Sequence, residues 1–230
     1  MEDGKCDSVD SVDESELTCC GLNFMTGLGC QDMVKLLLKS DHAKGKCEHD
    51  NNPSPLFVLP YIGNKKEELE VAKMLLDYGV DVNAATPDKE TPLHRACKRN
   101  DVELTKMLID YGADVEAQDI SGKTPLFYCK EDSIAELLLR ANAKMDVRDE
   151  DDRTALHSVL QDGGTGGTLD VAKRLVMLGA DIYAKDKKGK TPIDDLDDAS
   201  KKEFERIVLS LHELDSHLSG DDEGDPNAEW

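Results

Sequence analysis

Aromatic residues supply only 4% of this 230-residue chain, so its interior cannot be organised around large rings. Leu, Val, Ile, Ala and Met must build it, within an apolar share of 39%. Long apolar runs are missing as well. The longest aliphatic stretches last a few residues, as around Val34 to Leu38, far below the roughly 20 that cross a bilayer. Grouped cations are scarce: 28 basic residues face 49 acidic ones, for a formal charge of −21. Phosphate contacts need clustered Lys and Arg, so neither nucleic acid nor an anionic membrane is an expected partner. The opening Met1-Glu2-Asp3-Gly4-Lys5 is acidic and no apolar run follows, so no signal peptide is expected. Seven cysteines at irregular spacing form an odd set. They suit a reducing compartment, cytoplasmic or nuclear, better than a disulfide framework.

The acidic excess sits largely at the ends. Residues 1–16 hold seven acids against Lys5, and residues 213–230 hold seven with no Lys or Arg. Such segments have little apolar surface to bury, so 1–16 and 219–230 are expected to be disordered, solubilising tails.

Between the tails the sequence repeats. Five segments open alike: Ser54-Pro55-Leu56-Phe57, Thr91-Pro92-Leu93-His94, Thr124-Pro125-Leu126-Phe127, Thr154-Ala155-Leu156-His157 and Thr191-Pro192-Ile193-Asp194. Their starts are 37, 33, 30 and 37 residues apart. A second register follows in step, with Leu75-Leu76, Leu108-Ile109, Leu138-Leu139 and Leu175-Val176 shortly before Gly79, Gly112, Asn142 and Gly179. Each residue type has a local task. Thr caps a helix through its hydroxyl, and Pro suits the first helical turn, where no N–H is needed. Gly, or Asn as the next-best residue, ends the second helix in the left-handed conformation.

On these residues the sequence resembles the ankyrin-repeat family, and Thr91-Pro92-Leu93-His94-Arg95-Ala96 matches the family signature at every fixed position. The resemblance covers about residues 54–196. It implies an all-α repeat solenoid of stacked helix-turn-helix units with β-hairpin-like fingers. The expected domain runs over 17–218. Its parts are a degenerate first unit at 17–53, units starting near 54, 91, 124 and 154, and a capping unit at 191–218. In that last unit Phe204, Ile207, Val208, Leu211, Leu214 and Leu218 recur at helical spacing, as a helix closing the stack would require. The unit from Thr124 lacks three residues between Tyr128 and Ile134, so its first helix should be truncated.

No catalytic constellation is expected. His94 and His157 belong to the repeat signature, and each should hydrogen-bond its own Thr or a neighbouring backbone. Cys30, His42, Cys47 and His49 fit no standard zinc spacing, and the glycine-rich 163–167 stretch lacks the Lys of a phosphate-binding loop. No cofactor, metal or small-molecule substrate is expected, and the chain should be a monomer and not an enzyme. The family resemblance implies binding of another protein, with the chain as adaptor or inhibitor. The alternative is a substrate-recruiting adaptor of an enzyme complex such as a ubiquitin ligase, with residues 200–218 as its box helix. Mapped from the family, the outward positions are Asp88 and Glu90 with Lys98 and Arg99, then Ile120, Ser121 and Lys123 with Tyr128 and Lys130, then Asp151 and Arg153, and finally Lys187 and Lys188. Leu75-x5-Asp81-Val82-Asn83 also resembles the family's asparaginyl hydroxylation site, which makes Asn83 a candidate for modification, with a turn-shaping role as the alternative. A far-ultraviolet circular dichroism spectrum should be dominated by helix; a β-rich spectrum would overturn the repeat reading.

Overall fold

The computed structural model describes residues 54–59, 65–161, 167–194 and 196–218. The expected tails, the degenerate unit 17–53 and most of the glycine-rich loop lie outside the described residues.

The described chain is a series of helix pairs. Helix α1 (Pro55–Val58) is followed by α2 (Lys65–Tyr78), and α3 (Pro92–Lys98) by α4 (Val102–Asp110). A 3-10 helix (Pro125–Tyr128) precedes α5 (Asp132–Arg140), and α6 (Ala155–Gln161) precedes α7 (Gly167–Met177). Helix α8 (Asp198–Leu218) comes last. First-helix elements pack in one row and second helices in another, each touching its neighbour in the next unit.

Local chemistry sets the ends. The Thr91 hydroxyl accepts the His94 N–H, and Pro92 occupies the first turn of α3. Asp101 caps α4 by accepting the Leu104 N–H at 3.0 Å. Each second helix stops the same way, with positive φ at Gly79 (95°), Gly112 (84°), Asn142 (66°) and Gly179 (94°). The N–H just beyond then reaches back to a carbonyl of the last turn, as Ala113 does to Leu108 at 2.9 Å, satisfying an otherwise orphaned acceptor.

The signature leucines Leu56, Leu93, Leu126 and Leu156 are buried between the rows. Leu75, Leu108, Leu138 and Leu175 of the second helices meet them and are fully buried. No unit covers its own apolar face, so each depends on the next. At the last interface Phe204 and Val208 of α8 are buried in the core that α7 shares, while Glu203, Glu205 and Arg206 stay exposed.

Two features differ between units. Among the described residues the fingers form no strands; each is a tight turn, as where Asp119 N–H donates to Lys123 C=O at 3.0 Å. The short unit from Thr124 has a 3-10 helix of four residues, where α3 and α6 each run seven. Cys129 then turns extended, with φ −71° and ψ 124°.

Leu93→Ala removes a fully buried stacking residue and is expected to cost about 2–5 kcal/mol in urea unfolding. Hydrogen-exchange protection should fall in the units around residues 54–140 and little beyond, since units touch only neighbours. Uniform loss along the array would contradict this architecture.

Candidate functional site

Three of the described fingers are built on a carboxylate five residues before a signature Thr. Asp119 accepts the N–H groups of Ser121 and Lys123 at 2.8 and 3.1 Å. Asp149 does the same for Asp151 and Arg153, and Asp186 for Lys188 and Lys190. In the preceding unit the Thr86 hydroxyl takes this place, accepting Glu90 N–H at 3.2 Å. Burial alone would raise the Asp119 carboxyl, but hydrogen bonds from Tyr128, Lys123 and Ser121 hold it below the usual range. Tyr128 O–H donates to it at 2.5 Å, and burial followed by that bond pushes the phenol well up. Arg153 Nε lies 3.7 Å from Asp186, and Lys123 Nζ lies 4.0 Å from Asp149. Adjacent fingers are joined by backbone bonds from Ile120 to Asp88, Glu150 to Ser121 and Lys187 to Asp151, at 2.8–3.0 Å.

Histidines stitch units together below the fingers. His94 Nδ1 accepts Thr91 N–H at 3.2 Å, so the ring proton sits on Nε2. Nε2 donates to Lys123 C=O of the next unit at 3.0 Å. His157 repeats this with Thr154 N–H at 3.1 Å and Lys190 C=O at 3.3 Å. Burial is the main cause that lowers both imidazoles below their ordinary value. With both nitrogens committed, neither ring is placed to act as a general base. Phe127 stands at the corresponding position of the short unit, and there the Thr124 hydroxyl is buried without a partner. At Thr191 the carboxylate of Asp194 replaces the imidazole, accepting both N–H and O–H at 2.8 Å.

On the outward side, Lys98 Nζ lies 4.2 Å and Lys123 Nζ 5.9 Å from the Tyr128 ring centroid. Glu90 pairs with Lys98 at 3.2 Å. Lys98, Lys123, Tyr128 and Lys130 therefore share one patch. Arg99 lies elsewhere: its guanidinium grips Glu68 of α2 at 2.7 and 3.5 Å, and that carboxylate is only 3% exposed. Its charge serves the interface between units. Ile120 and Tyr183 are 58% and 71% exposed at the fingers. Asp88, Asp151, Lys187 and Lys188 are exposed there too, while Ser121 is half-buried. Arg153 is half-buried and reaches Gln161 at 3.2 Å. The Asn83 amide clamps two fingers, its oxygen accepting Asp114 N–H at 2.8 Å and its nitrogen donating to Gly112 C=O. Glu116 acts likewise one unit later, accepting Lys144 N–H at 2.8 Å.

The sequence matches the family described as Ankyrin repeats (3 copies) over residues 22–119 and 61–149, more than half of the chain. The chain is an ankyrin-repeat protein. No curated protein matches it. Among the described residues no cluster of His, Cys, Asp and Glu is arranged to hold a metal ion, and no helix is long and apolar enough to cross a membrane. Cys30, His42, Cys47 and His49 lie outside those residues.

Within this ankyrin frame, the mapped residues divide. Lys98, Lys123, Tyr128 and Lys130 come together; Asp88, Ile120, Asp151, Lys187 and Lys188 line the fingertips; Arg99 is held between units. Sequence reasoning missed Asp119, Asp149, Asp186 and Glu68. The first three carry a usable signal, an Asp at constant distance before Thr; Glu68 carries none, since its partner is Arg99 of another unit.

Because the folded imidazoles titrate below the unfolded value near 6.5, the unfolded chain takes up protons first as pH falls. Stability should be complete above about pH 7 and decline as pH drops through the unfolded value. The depressed carboxylates Asp119 and Asp186 lose their contribution only at lower pH, below the ordinary Asp range. Urea midpoints measured between about pH 7.5 and 5.5 should fall. A His94→Gln, His157→Gln variant should be less stable at neutral pH with a flatter profile; an unchanged slope would refute the linkage.

Proposed function

We propose that this chain is a protein-interaction module, an adaptor or inhibitor, that holds its partner through the fingertips and the inner row of first helices. One observation carries this reading. The finger backbones are bonded to one another, yet Ile120 and Tyr183 remain largely exposed at 58% and 71%. Apolar and aromatic groups held rigidly in water bind at low entropic cost, since little freedom is left to lose. The ligase-adaptor alternative needs an available box helix. Residues 198–218 form α8, whose Phe204 and Val208 are already buried in the core. That use disfavours the alternative.

Co-precipitation with mass spectrometry would identify the partner. Ile120→Asp with Lys188→Glu, both at fingertips, should weaken capture about tenfold or more while the thermal midpoint stays close to the parent's. Lys73→Glu with Lys106→Glu, exposed on α2 and α4, should leave capture intact. Equal loss from both pairs would overturn the finger-face reading.

A further inference from the structure

The row of fingers ends open. Three fingers each offer a tip carbonyl to the next: Asp88 C=O accepts Ile120 N–H at 2.8 Å, Ser121 C=O accepts Glu150 N–H at 3.0 Å, and Asp151 C=O accepts Lys187 N–H at 2.9 Å. Side chains at a second position reach the same way, with Asn83 accepting Asp114 N–H and Glu116 accepting Lys144 N–H, both at 2.8 Å. In the last finger these two places belong to Lys188 and Tyr183. Among the described residues the Lys188 carbonyl has no donor, and the Tyr183 side chain, 71% exposed, meets no further unit. This finger is also the basic one. Lys185, Lys187, Lys188 and Lys190 stand against Asp186, whereas the finger before it holds Asp149, Glu150, Asp151 and Asp152 against Arg153. The Asp186 carboxylate is taken up by the N–H groups of Lys188 and Lys190 and by Arg153. Lys187 Nζ donates to the Glu150 carbonyl. Lys185 and Lys188 are exposed, with no carboxylate against their ammonium groups among the described residues.

We propose that this open edge is covered by the chain's own acidic segment 219–230, laid along the last finger in extended form with a backbone N–H on the Lys188 carbonyl. Chain direction brings the segment there. Phe204 and Val208 stand 13 and 17 residues after Thr191, as Leu104 and Leu108 stand after Thr91, and all four are buried. Helix α8 therefore takes the place of a second helix, packs on α7 and runs the same way. Helix α4 is capped at Tyr111, 20 residues after Thr91, before its finger begins. Helix α8 continues past the matching Leu211 to Leu218, about 10 Å farther along its axis. Residues 219–230 thus start on the finger side of the stack, beside its last finger. Twelve extended residues span up to about 40 Å, enough to run the length of one finger. Charge fits the place as well. Asp221, Asp222, Glu223, Asp225 and Glu229 stand in the segment with no Lys or Arg, to meet Lys185 and Lys188. Trp230 supplies a ring for Tyr183. A tethered segment is held at high effective concentration, so ion pairs that are individually weak in water suffice. The contact is intramolecular and stands whether or not a partner uses the fingers.

The test uses the full chain and its single tryptophan, Trp230. Acrylamide quenching of its fluorescence is compared with that of a free peptide of residues 219–230. At about 20 mM salt the full chain should be quenched about twofold less steeply than the peptide, and at about 0.5 M the two should approach each other, because screening weakens the ion pairs. Lys185→Glu with Lys188→Glu should raise quenching to the peptide's level at low salt, with the helical spectrum unchanged. Asp221→Asn, Asp222→Asn and Glu223→Gln together alter no residue of the stacked units. They should raise quenching likewise and shift the NMR signals of the Tyr183 ring and the Lys185 and Lys188 amides. Lys73→Glu with Lys106→Glu, on α2 and α4, should leave the protection intact. Quenching equal to the peptide's at low salt, equal loss of protection in the α2 and α4 pair, or shifts absent from the last finger would each overturn the proposal. Protection that grows with protein concentration would overturn it too, by assigning the segment to a second copy.

Discussion

Every other feature of this chain depends on burial between neighbouring units. A single helix pair exposes apolar surface on both sides, and only the next pair can cover it. Leu93 and Leu108 are buried because units on either side close over them. At the last interface α8 supplies that cover with Phe204 and Val208. Stacking fixes the spacing of the units, and the spacing brings each finger within hydrogen-bond reach of the next.

Polar groups then lock what burial has brought together. The neutral His94 and His157 rings span two units each, and burial keeps them neutral. The carboxylates of Asp119, Asp149 and Asp186 are nearly buried but receive backbone N–H groups, so the charge is satisfied within its own turn. Their lone pairs also draw in Tyr128 and Arg153 from the outward face. The outward face is thus anchored by the groups that shape the fingers.

The short unit shows how a small sequence change becomes a surface feature. Loss of three residues converts a helix into a single 3-10 turn, and the unit still stacks because Leu126, Phe127 and Ile134 stay buried. Phe127 replaces the stitching histidine, which leaves the Thr124 hydroxyl without a partner. Tyr128 then bonds Asp119, and the space beyond it becomes a lysine-lined cavity.

The sequence alone determined the repeat, the helix ends and the solenoid class, because these follow from local rules: Thr-Pro starts, Gly or Asn stops, and leucines in register. It also foretold the truncated helix, since a deletion inside a periodic pattern has few places to go. Tertiary structure decided the roles of the outward residues. Arg99 and Lys98 are adjacent in sequence and both basic, yet one grips the buried Glu68 and the other lies over Tyr128. Nothing local separates them, for the partners come from different units. Asn83 likewise reads as a turn residue until the next finger supplies the Asp114 N–H. Local pattern fixes where a backbone goes; which charge is neutralised, and by what, depends on groups far away in sequence that only stacking brings near.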